Sequence, residues 1–421
     1  MTSDAEVLGS GRVACRDLRN TPKGTEHDAN SWLDEAISAA GAALEEAGSP
    51  TVDVIGVGAL GPAPIVVDAG LQPLTASPVF PGGSVTAWLD ALPAEVTSRA
   101  AWVVDVAGFL VGTLVGRPVI DRITAMDYGI DGPGHLSFPE PHEPFEVAGE
   151  LTAANAERLS LGAGVPVTVG TYDTFVDLAG VGASEAGSAA ILLGSTVVVG
   201  TVREEADAPE GLSSSPHVGV GWFVGGWTST AGRALGWAAS LAAEADRTRV
   251  IADGGALDPG SGGLLVLPYL DGERSPVWDP SARGVLLGLT TSTTLAEVYR
   301  GVLDGVVLST LDLADRLEPV RAAPWIIAGG GVRDTAWTKA TVDALGEPVT
   351  VVDLPDAGAA ARAGFAAIDV DVPAPAARTV EPDLRQGDRW RALAAAYRGM
   401  YEDLAERMHR MSELADHGST P

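Results

Sequence analysis

Residues 165–200 contain the side chains whose types and spacing could do chemistry. Asp173 follows a short apolar run that predicts a buried strand, so a carboxylate is expected just beyond a strand end. Gly194-Ser195-Thr196 is a tight turn between two further apolar runs, which together predict a strand hairpin. Because small residues let a phosphate approach the main chain, this turn could point backbone N–H groups and two hydroxyls at an anion. An acid and a phosphate-sized turn on neighbouring strands indicate phosphoryl transfer to a hydroxyl.

Both features also have purely structural interpretations. An Asp after a strand is commonly a turn former or a helix cap, and a Gly-Ser-Thr turn is commonly only a turn. The choice between these interpretations depends on the rest of the chain.

A third feature is Gly329-Gly330-Gly331, which follows an apolar run at 324–328 and precedes a predicted helix at 337–345. Three glycines remove every side chain where a flat group such as a nucleotide could lie against the backbone. The N-terminus of the following helix is in addition positively polarised. Close packing of a helix on a strand also selects glycine, so that alternative stays open.

Residues 56–61, Gly-Val-Gly-Ala-Leu-Gly, match the spacing of the dinucleotide fingerprint GxGxxG. In that fingerprint the third glycine begins a helix, whereas here Pro62 and Pro64 follow at once and another strand is predicted. A loop between strands is therefore preferred to a nicotinamide or flavin site.

Composition bounds the class of protein. The chain has 421 residues with 52 glycines and 5% aromatic residues, which favours an α/β protein of two domains with many tight loops. It carries 56 acidic and 27 basic side chains, a formal net charge of -29. Because nucleic-acid binding requires Lys and Arg to displace counterions, this balance argues against nucleic acid and anionic membranes as partners.

Cysteine and histidine usage limits the chemistry further. Cys15 is the single cysteine, which excludes an intramolecular disulfide and leaves no cysteine-based metal cluster. The six histidines show no ligand spacing on a common element. No signal peptide is visible, and the apolar run 100–115 contains Asp105 and is too short to span a membrane, so it is interpreted as a core helix. A soluble, cytoplasmic protein is expected.

Periodicity and breakers predict alternating helices and strands, with an irregular, proline-rich connector at 133–146. The predicted strands lie at 11–18, 52–57, 65–68, 165–169, 188–193, 197–199, 222–227, 264–270, 324–328 and 349–352. The predicted helices lie at 31–47, 100–115, 150–161, 230–243, 295–317, 337–345, 358–368 and 390–414.

Four segments, in their order and spacing, resemble the FGGY family of carbohydrate kinases, within the superfamily of sugar kinases, hsp70 and actin. Residues 167–196 resemble the family's GxxD segment and second phosphate hairpin, and residues 267–290 resemble its central signature. Residues 295–313 resemble the following helix, with Gly301 where Ala or Ser is usual, and residues 328–349 resemble the adenosine motif.

The resemblance implies an α/β, two-domain actin-like ATPase fold of the ribonuclease H-like type, with a cleft between the domains. Residues 1–157 would form a shortened, incomplete N-terminal sugar-binding domain, and residues 158–421 would form the nucleotide-binding domain. ATP and Mg²⁺ are the implied cofactors, and the metal-binding residues are unknown.

The resemblance also implies roles for individual residues. Asp173 would be the general base on the acceptor hydroxyl, and it would bind the sugar together with Tyr172. The residues expected at ATP are Gly194, Ser195 and Thr196 at the phosphates, Gly232 at a helix start near them, and Gly329, Gly330 and Gly331 beside the adenosine. Val197 stands where the family usually has Gly. The loop at Glu273 and Arg274 would border the cleft in a role that stays open.

The N-terminal domain departs from the family. Family members open with a hairpin that bears an Asp-x-Gly-Thr turn, which supplies the first phosphate loop and an acid near Mg²⁺, and nothing before Gly11 matches it. The usual Trp-x-Asp-x-Arg sugar-contacting segment would follow residues 66–80, where Pro81-Gly-Gly-Ser stands instead. An in-frame Asp-x-Gly-Thr segment in the genomic DNA upstream of Met1 would make the first departure an artefact of the start site.

Two functions remain in competition. The first is ATP-dependent phosphorylation of a small sugar, which could be a ketose such as xylulose, a polyol or a sugar acid. The Gly-Glu-Arg-Ser-Pro segment at 272–276 is most similar to the pentulose and gluconate branches. The second is a catalytically impaired or regulatory relative that lacks the first phosphate loop. An oxidoreductase would rest on residues 56–61 alone, and a homodimer is left open as an assembly.

Overall fold

The computed structural model describes residues 1–16, 19–21, 24–79, 85–129, 136–219, 221–354 and 357–417. Internal contacts divide the chain into two compact units. Unit 1 consists of Met1–Ser184, Pro216–Val220 and Pro355–Pro375, and unit 2 consists of Glu185–Ser215, Gly221–Leu354 and Ala376–Pro421. The boundary expected after residue 157 differs from this division, because residues 158–184 pack with unit 1.

The elements of the described residues alternate as expected for an α/β chain. The α-helices are Ala29–Glu46, Val85–Asp90, Ala94–Thr97, Val106–Val115, Arg122–Asp127, Ala153–Leu159, Asp173–Gly180, Gly232–Ser240, Arg247–Gly255, Leu295–Leu317, Thr335–Leu345, Gly358–Ala367, Gly387–Tyr397 and Met400–His417. The 3₁₀-helices are Glu244–Asp246, Ser261–Gly263, Gly330–Arg333 and Leu384–Gln386. The strands are Arg19–Thr21, Gly24–His27, Gly58–Ala59, Ile65–Val67, Ser77–Val79, Trp102–Val104, Ile120–Asp121, Pro141–His142, Val147–Glu150, Pro166–Thr168, Thr171–Tyr172, Ala189–Leu193, Val197–Arg203, Ser213–Pro216, Trp222–Trp227, Leu265–Leu267, Val285–Leu287, Trp325–Ala328, Val349–Val352 and Ala377–Val380.

A seven-stranded sheet of the described residues organises unit 2. Its fully buried strand Ala189–Leu193 pairs antiparallel with Val197–Arg203 and parallel with Trp325–Ala328, so the pairing changes direction at this strand. A continuous apolar run is what a strand buried on both faces requires. The strand order is Ser213–Pro216, Trp222–Trp227, Val197–Arg203, Ala189–Leu193, Trp325–Ala328, Val349–Val352 and Ala377–Val380.

The helix Leu295–Leu317 supplies much of the core of unit 2, and its predicted bounds are confirmed. Its start is fixed by a capping box, in which Thr294 Oγ1 accepts the Glu297 N–H and Glu297 Oε2 accepts the Thr294 N–H. Gly305 allows a close approach on one side, because a Cβ there would lie 2.5 Å from the Val266 carbonyl oxygen.

A buried ion pair lies on this helix. Arg300 and Asp304 are one turn apart, with 5% and 2% of their side chains exposed, and Arg300 Nε donates to Asp304 Oδ1 at 2.8 Å. Arg300 Nη1 also donates to the Leu257 carbonyl, and Asp304 Oδ2 accepts the Gly260 N–H, each at 2.8 Å. The guanidinium lies 5.8 Å from the ring centre of Trp390. The two charges are therefore paired and hydrogen-bonded, which burial of charge requires.

Unit 1 is built from short strands around the buried helix Val106–Val115. The strand Thr171–Tyr172 runs parallel to Gly58–Ala59. The late helix Gly358–Ala367 packs on the same region, because Gly56 lies so close to the Ala360 carbonyl that a side chain at 56 would collide with it. As predicted, residues 56–61 are followed by a strand, Ile65–Val67, rather than by a helix.

The structure corrects two predicted helices. The run 100–115 is a strand, Trp102–Val104, followed by the helix Val106–Val115. Asp105 separates them because its side chain accepts the Gly108 N–H at 2.8 Å and caps the helix. The run 390–414 lies in two helices, because Gly399 has φ 79° and interrupts the chain between Tyr397 and Met400.

Two predicted strands are also corrected. Within 52–57, only an isolated bridge between Ile55 and Val167 forms. The described part of 11–18 is not a strand, and residues 17 and 18 lie outside the described residues. Residues 81–84, where the sequence departs from the sugar-contacting segment of the family, also lie outside the described residues. The same holds for residues 133–135, the start of the predicted connector 133–146. None of the helices in the described part of the chain combines the length and the apolar character needed to cross a bilayer.

Candidate active site

The turn at Gly194-Ser195-Thr196 follows the central strand of unit 2. Leu193 pairs with Val197, and the Gly194 N–H donates to the Thr196 carbonyl at 2.9 Å, so the turn is tight. Ser195 at its tip is exposed. The predicted hairpin is confirmed, and its tip presents a hydroxyl to solvent.

The helix start at Gly232 packs directly on this turn. The Ala231 N–H donates to the Ser195 carbonyl at 2.9 Å and the Gly232 N–H donates to the Gly194 carbonyl at 3.1 Å. A Cβ at residue 232 would lie 2.7 Å from the Gly194 carbonyl oxygen, so glycine is required there. The structure therefore brings Gly232 and the turn together, with the positively polarised end of the helix Gly232–Ser240 beside the turn.

The triple glycine packs on the same strand end, and its members differ. Gly329 has φ 92°, and a Cβ there would lie 2.6 Å from the Leu193 carbonyl oxygen. A Cβ on Gly331 would lie 2.6 Å from the Trp337 ring, so both residues are glycine for packing reasons. Gly330 is exposed, has no positive φ, and a Cβ there would have no atom of the described residues within 4 Å. Of these three glycines, Gly330 is therefore the one that offers bare backbone to a ligand.

A cavity of about 770 Å³ lies elsewhere on unit 2, a volume within the range of small-molecule sites. Its lining includes Ile251, Gly255, Ala336 and Asp334, and Asp334 also caps the helix Thr335–Leu345. None of the residues predicted at ATP, all of which are described, lines this cavity. Asp334 nevertheless follows Gly331 by three residues, so the glycine turn leads directly to the lining of this cavity.

The loop at Glu273 and Arg274 braces the segment before Gly232. Glu273 is buried, and its Oε1 accepts the N–H groups of Ser229 at 2.5 Å and of Arg274 at 2.8 Å. Burial raises the pKa of Glu273 to about 7. Arg274 Nη2 donates to the Thr228 carbonyl at 2.5 Å. The structure thus gives this loop a positioning role that the sequence left open.

Asp173 is the first residue of the helix Asp173–Gly180 in unit 1. The preceding break at Gly170 has φ 73°, and a Cβ there would lie 2.7 Å from the Val57 carbonyl oxygen. Asp173 is exposed, and its Oδ1 accepts the Thr174 N–H at 2.6 Å. Desolvation nevertheless raises the pKa of Asp173, and desolvation together with the charge of Asp173 raises the pKa of Asp177 to about 6.

Two acids, the buried Asp121 and the exposed Asp127, hold the strand Thr171–Tyr172, which leads into Asp173. Asp121 Oδ1 accepts the Thr171 hydroxyl at 2.8 Å, and the Tyr172 hydroxyl donates to Asp127 Oδ2 at 3.1 Å. Tyr172 is 7% exposed, and a Cβ on Gly61 would collide with its ring. Tyr172, expected as a sugar contact, thus supports the strand end from within unit 1.

A second buried carboxyl, Asp105, lies near Asp121 and is fully buried. Burial, and secondarily the charge of Asp121, raise its pKa to about 7. A folded-state pKa above the unfolded value means that Asp105 favours folding most below about pH 4, and that this contribution is lost as the pH rises to about 7.

Asp105→Asn is therefore expected to raise the free energy of unfolding at pH 8 by roughly 2–4 kcal/mol and to flatten its decline between pH 4 and 7. The Asn oxygen can still accept the Gly108 N–H, so the helix cap remains. Urea unfolding at pH 5 and pH 8 measures the effect. Asp28→Asn, at the exposed cap of the helix Ala29–Glu46, is the matched control and should show no such pH difference. Equal stability of wild type and Asp105→Asn at pH 8 would contradict the prediction.

The described residues thus form two groups, each within its own unit. In unit 2 the turn 194–196, Gly232 and residues 329–331 meet at the end of the strand Ala189–Leu193. In unit 1 Asp173 lies at a helix start. Sequence reasoning missed Asp121 and the bracing by Glu273, and the only signal for either was an acid beside a strand or a turn.

Residues 189–369 match the model of the FGGY family of carbohydrate kinases, C-terminal domain. The chain is 29% identical to xylulose kinase of Escherichia coli over 288 residues, 63% of the chain and 58% of that protein. It is 24% identical to gluconokinase of Bacillus subtilis over 312 residues, 66% of the chain and 60% of that protein. The chain thus spans less than two thirds of these curated relatives.

Solved structures share the fold. Gluconate kinase from Lactobacillus acidophilus superposes with a TM-score of 0.82 at 18% identity, covering 95% of this chain and 94% of that one. Xylulose kinase from Rhodospirillum rubrum superposes with a TM-score of 0.75 at 22% identity, covering 94% and 93%. The chain therefore has the two-domain actin-like ATPase fold predicted from the sequence.

Proposed function

We propose that the chain transfers the terminal phosphoryl group of ATP to a hydroxyl of a small sugar, on the premise that residues 189–369 match the model of the FGGY family of carbohydrate kinases, C-terminal domain. The observation that carries the proposal is the meeting of three predicted ATP-binding features at one strand end. These are the turn 194–196, the helix start at Gly232 and the open backbone at Gly330.

The residues of unit 2 fit a nucleotide with its phosphates. The small residues of the turn and the adjacent helix N-terminus suit the phosphates, and Gly330 suits the flat nucleoside. ATP bound with Mg²⁺ would supply the phosphoryl group and neutralise part of its charge. The turn would hold the phosphates in a fixed position. The loop at Glu273 fixes the segment 228–231, which leads into Gly232.

Asp173 is the proposed general base. Its exposed carboxylate can accept the proton of the acceptor hydroxyl late in the transfer, and the raised pKa of Asp173 makes it a somewhat stronger base. The Thr174 N–H holds Oδ1 at 2.6 Å, which leaves Oδ2 for the substrate. The names of the relatives point to xylulose, gluconate or glycerol as acceptors, and we propose a ketose, polyol or sugar acid of this size.

An ATP-consumption screen of the full chain with Mg²⁺ over ketoses, polyols and aldonates tests the proposal. We expect turnover on one class of acceptor, above the rate without sugar. ATP binding without turnover on any acceptor would favour a regulatory relative instead. Absence of both ATP binding and turnover would overturn the assignment.

Gly330→Ala is expected to weaken ATP binding without destabilising the protein. The new methyl group meets no protein atom among the described residues, so it projects into the space assigned to the nucleoside. Overpacking of this kind costs about 1–3 kcal/mol, roughly 5- to 150-fold in Kd. Isothermal titration with ATP measures the change. Gly41→Ala, on a helix of unit 1 where a Cβ also meets open space, is the matched control. Equal ATP affinity in the two variants would contradict the placement of the nucleoside at Gly330.

A further inference from the structure

Three metal-binding side chains meet in unit 1, apart from the groups described above. They are Cys15, His27 and Glu35, and each offers one ligand atom within 4.8 Å of the other two. Thiolate, imidazole and carboxylate are the donors that Zn²⁺ prefers. The three residues come from an N-terminal segment, a strand and a helix, so no single element shows ligand spacing. The sequence therefore argued against a cysteine-based metal site, and the structure points the other way.

His27 is oriented as a metal ligand. Its side chain is fully buried and stacks on Trp32, with ring centres 4.3 Å apart. Nδ1 lies 2.8 Å from the Asp28 carbonyl oxygen, which can only accept, so Nδ1 carries the proton and Nε2 presents its lone pair. Nε2 has no hydrogen-bond partner among the described residues. A histidine that donates one nitrogen to a backbone carbonyl and leaves the other free is the usual arrangement around a metal ion.

Glu35 and Cys15 complete the set. Glu35 Oε1 accepts the Arg16 N–H at 2.5 Å, which orients the carboxylate. Its Oε2 is buried without a hydrogen bond within the described part of the chain, and it lies 3.8 Å from His27 Nε2. Bond lengths of about 2.0–2.3 Å in a tetrahedral site place ligand atoms roughly 3.3–3.6 Å apart, so His27 Nε2 and Glu35 Oε2 need to approach by only about 0.5 Å. The largest separation that the set allows, 4.8 Å, requires a shift of about 1–1.5 Å.

We propose that Cys15 Sγ, His27 Nε2 and Glu35 Oε2 bind Zn²⁺, with water as the fourth ligand. The ion would fasten the N-terminal segment to the helix Ala29–Glu46. That segment already lies along the helix, where the Ser10 N–H donates to Glu46 Oε2 at 2.7 Å. Gly11 lies too close to the Ala39 carbonyl to carry a side chain. The proposed site does not depend on the proposed kinase activity.

The single cysteine makes the test specific. The full chain, freed of metal with a chelator, is titrated with Co²⁺, which reports thiolate ligation by an intense near-ultraviolet absorption band. We expect one equivalent of Co²⁺ to produce the band and Zn²⁺ to remove it by displacement. Cys15→Ser should abolish it. Zn²⁺ should also slow alkylation of Cys15 and raise the Tm of the wild type.

Matched variants separate ligation from simple exposure of a thiol. Glu35→Gln and His27→Gln should each weaken Zn²⁺ binding by more than about 100-fold, because loss of a ligand exceeds the 10- to 100-fold effect of losing a ligand's partner. His142→Gln removes a histidine that lies 3.5 Å from Glu146 on the surface and should change nothing. If Glu35→Gln or His27→Gln fails to fold, Cys15→Ser at its exposed position still decides the matter. No thiolate band, with Cys15 alkylation unaffected by Zn²⁺, would overturn the proposal and leave a buried His27–Glu35 contact.

Discussion

Asp173→Asn is expected to lower kcat by about 100- to 10,000-fold, the range for removal of a positioned general base, while ATP affinity is retained. Asn keeps the size of the side chain and can still accept the Thr174 N–H, so the helix start should be unchanged. It cannot accept a proton from the sugar hydroxyl. Steady-state kinetics on the acceptor found by the screen, with isothermal titration of ATP, measure the two effects.

Asp177→Asn is the matched control for this prediction. Asp177 lies one turn further along the same helix, and its pKa is also raised, to about 6. It is not assigned to the substrate, so most of the wild-type kcat should remain. Similar losses in both variants would mean that charge on this helix, rather than proton transfer at Asp173, supports the activity. Full activity of Asp173→Asn would reject the general-base role outright.

Arg300→Met is expected to lower the free energy of unfolding of unit 2 by about 3–5 kcal/mol, because it leaves the Asp304 carboxylate buried without its partner. Because proteins with more than one domain often do not unfold in a single step, the transition of unit 2 is followed by itself in urea. Arg389→Met removes an exposed ion pair with Asp258, also at 2.8 Å, and should cost less than about 1 kcal/mol.

The double variant Arg300→Met, Asp304→Leu distinguishes loss of an ion pair from loss of packing. Replacing both charges by apolar groups removes the uncompensated carboxylate, so it should recover much of the lost stability. The double variant lacks the Leu257 hydrogen bond of Arg300 and also loses the Gly260 hydrogen bond of Asp304, so full recovery is not expected. A double variant as unstable as Arg300→Met alone would mean that these lost hydrogen bonds and the lost packing dominate.

Local patterns predicted those elements whose signals are local. The helix Leu295–Leu317 has an apolar face and a capping box in its own sequence, and the strand Val349–Val352 is an apolar run between breakers. The run 100–115 was misinterpreted because apolar strand and apolar helix look alike at this length, and only the hydrogen bond from Gly108 shows Asp105 to be a cap. Gly399 was missed because a glycine inside a helical pattern does not reveal its φ.

The candidate site was predicted in the parts that are contiguous in sequence. The turn 194–196 and the triple glycine were recognisable from small residues at strand ends. The packing reason for the triple glycine is confirmed, and the nucleotide reason stays a prediction. Packing requires Gly329 and Gly331, whereas Gly330 leaves the backbone open. The bracing by Glu273 and the meeting of Cys15 with His27 and Glu35 could not be predicted, because residues far apart in sequence meet there.

The division of unit 1 among three stretches of chain has a consequence for how it is made. The helix Gly358–Ala367 covers residue 56, yet it leaves the ribosome long after residue 184, by roughly 10–40 s at elongation rates of about 5–20 residues per second. During that interval the nascent N-terminal half exposes the apolar surface that this helix will bury. Nascent chains should therefore depend on chaperones until the helix Gly358–Ala367 has been synthesised. A polypeptide ending at residue 184 should be prone to aggregate.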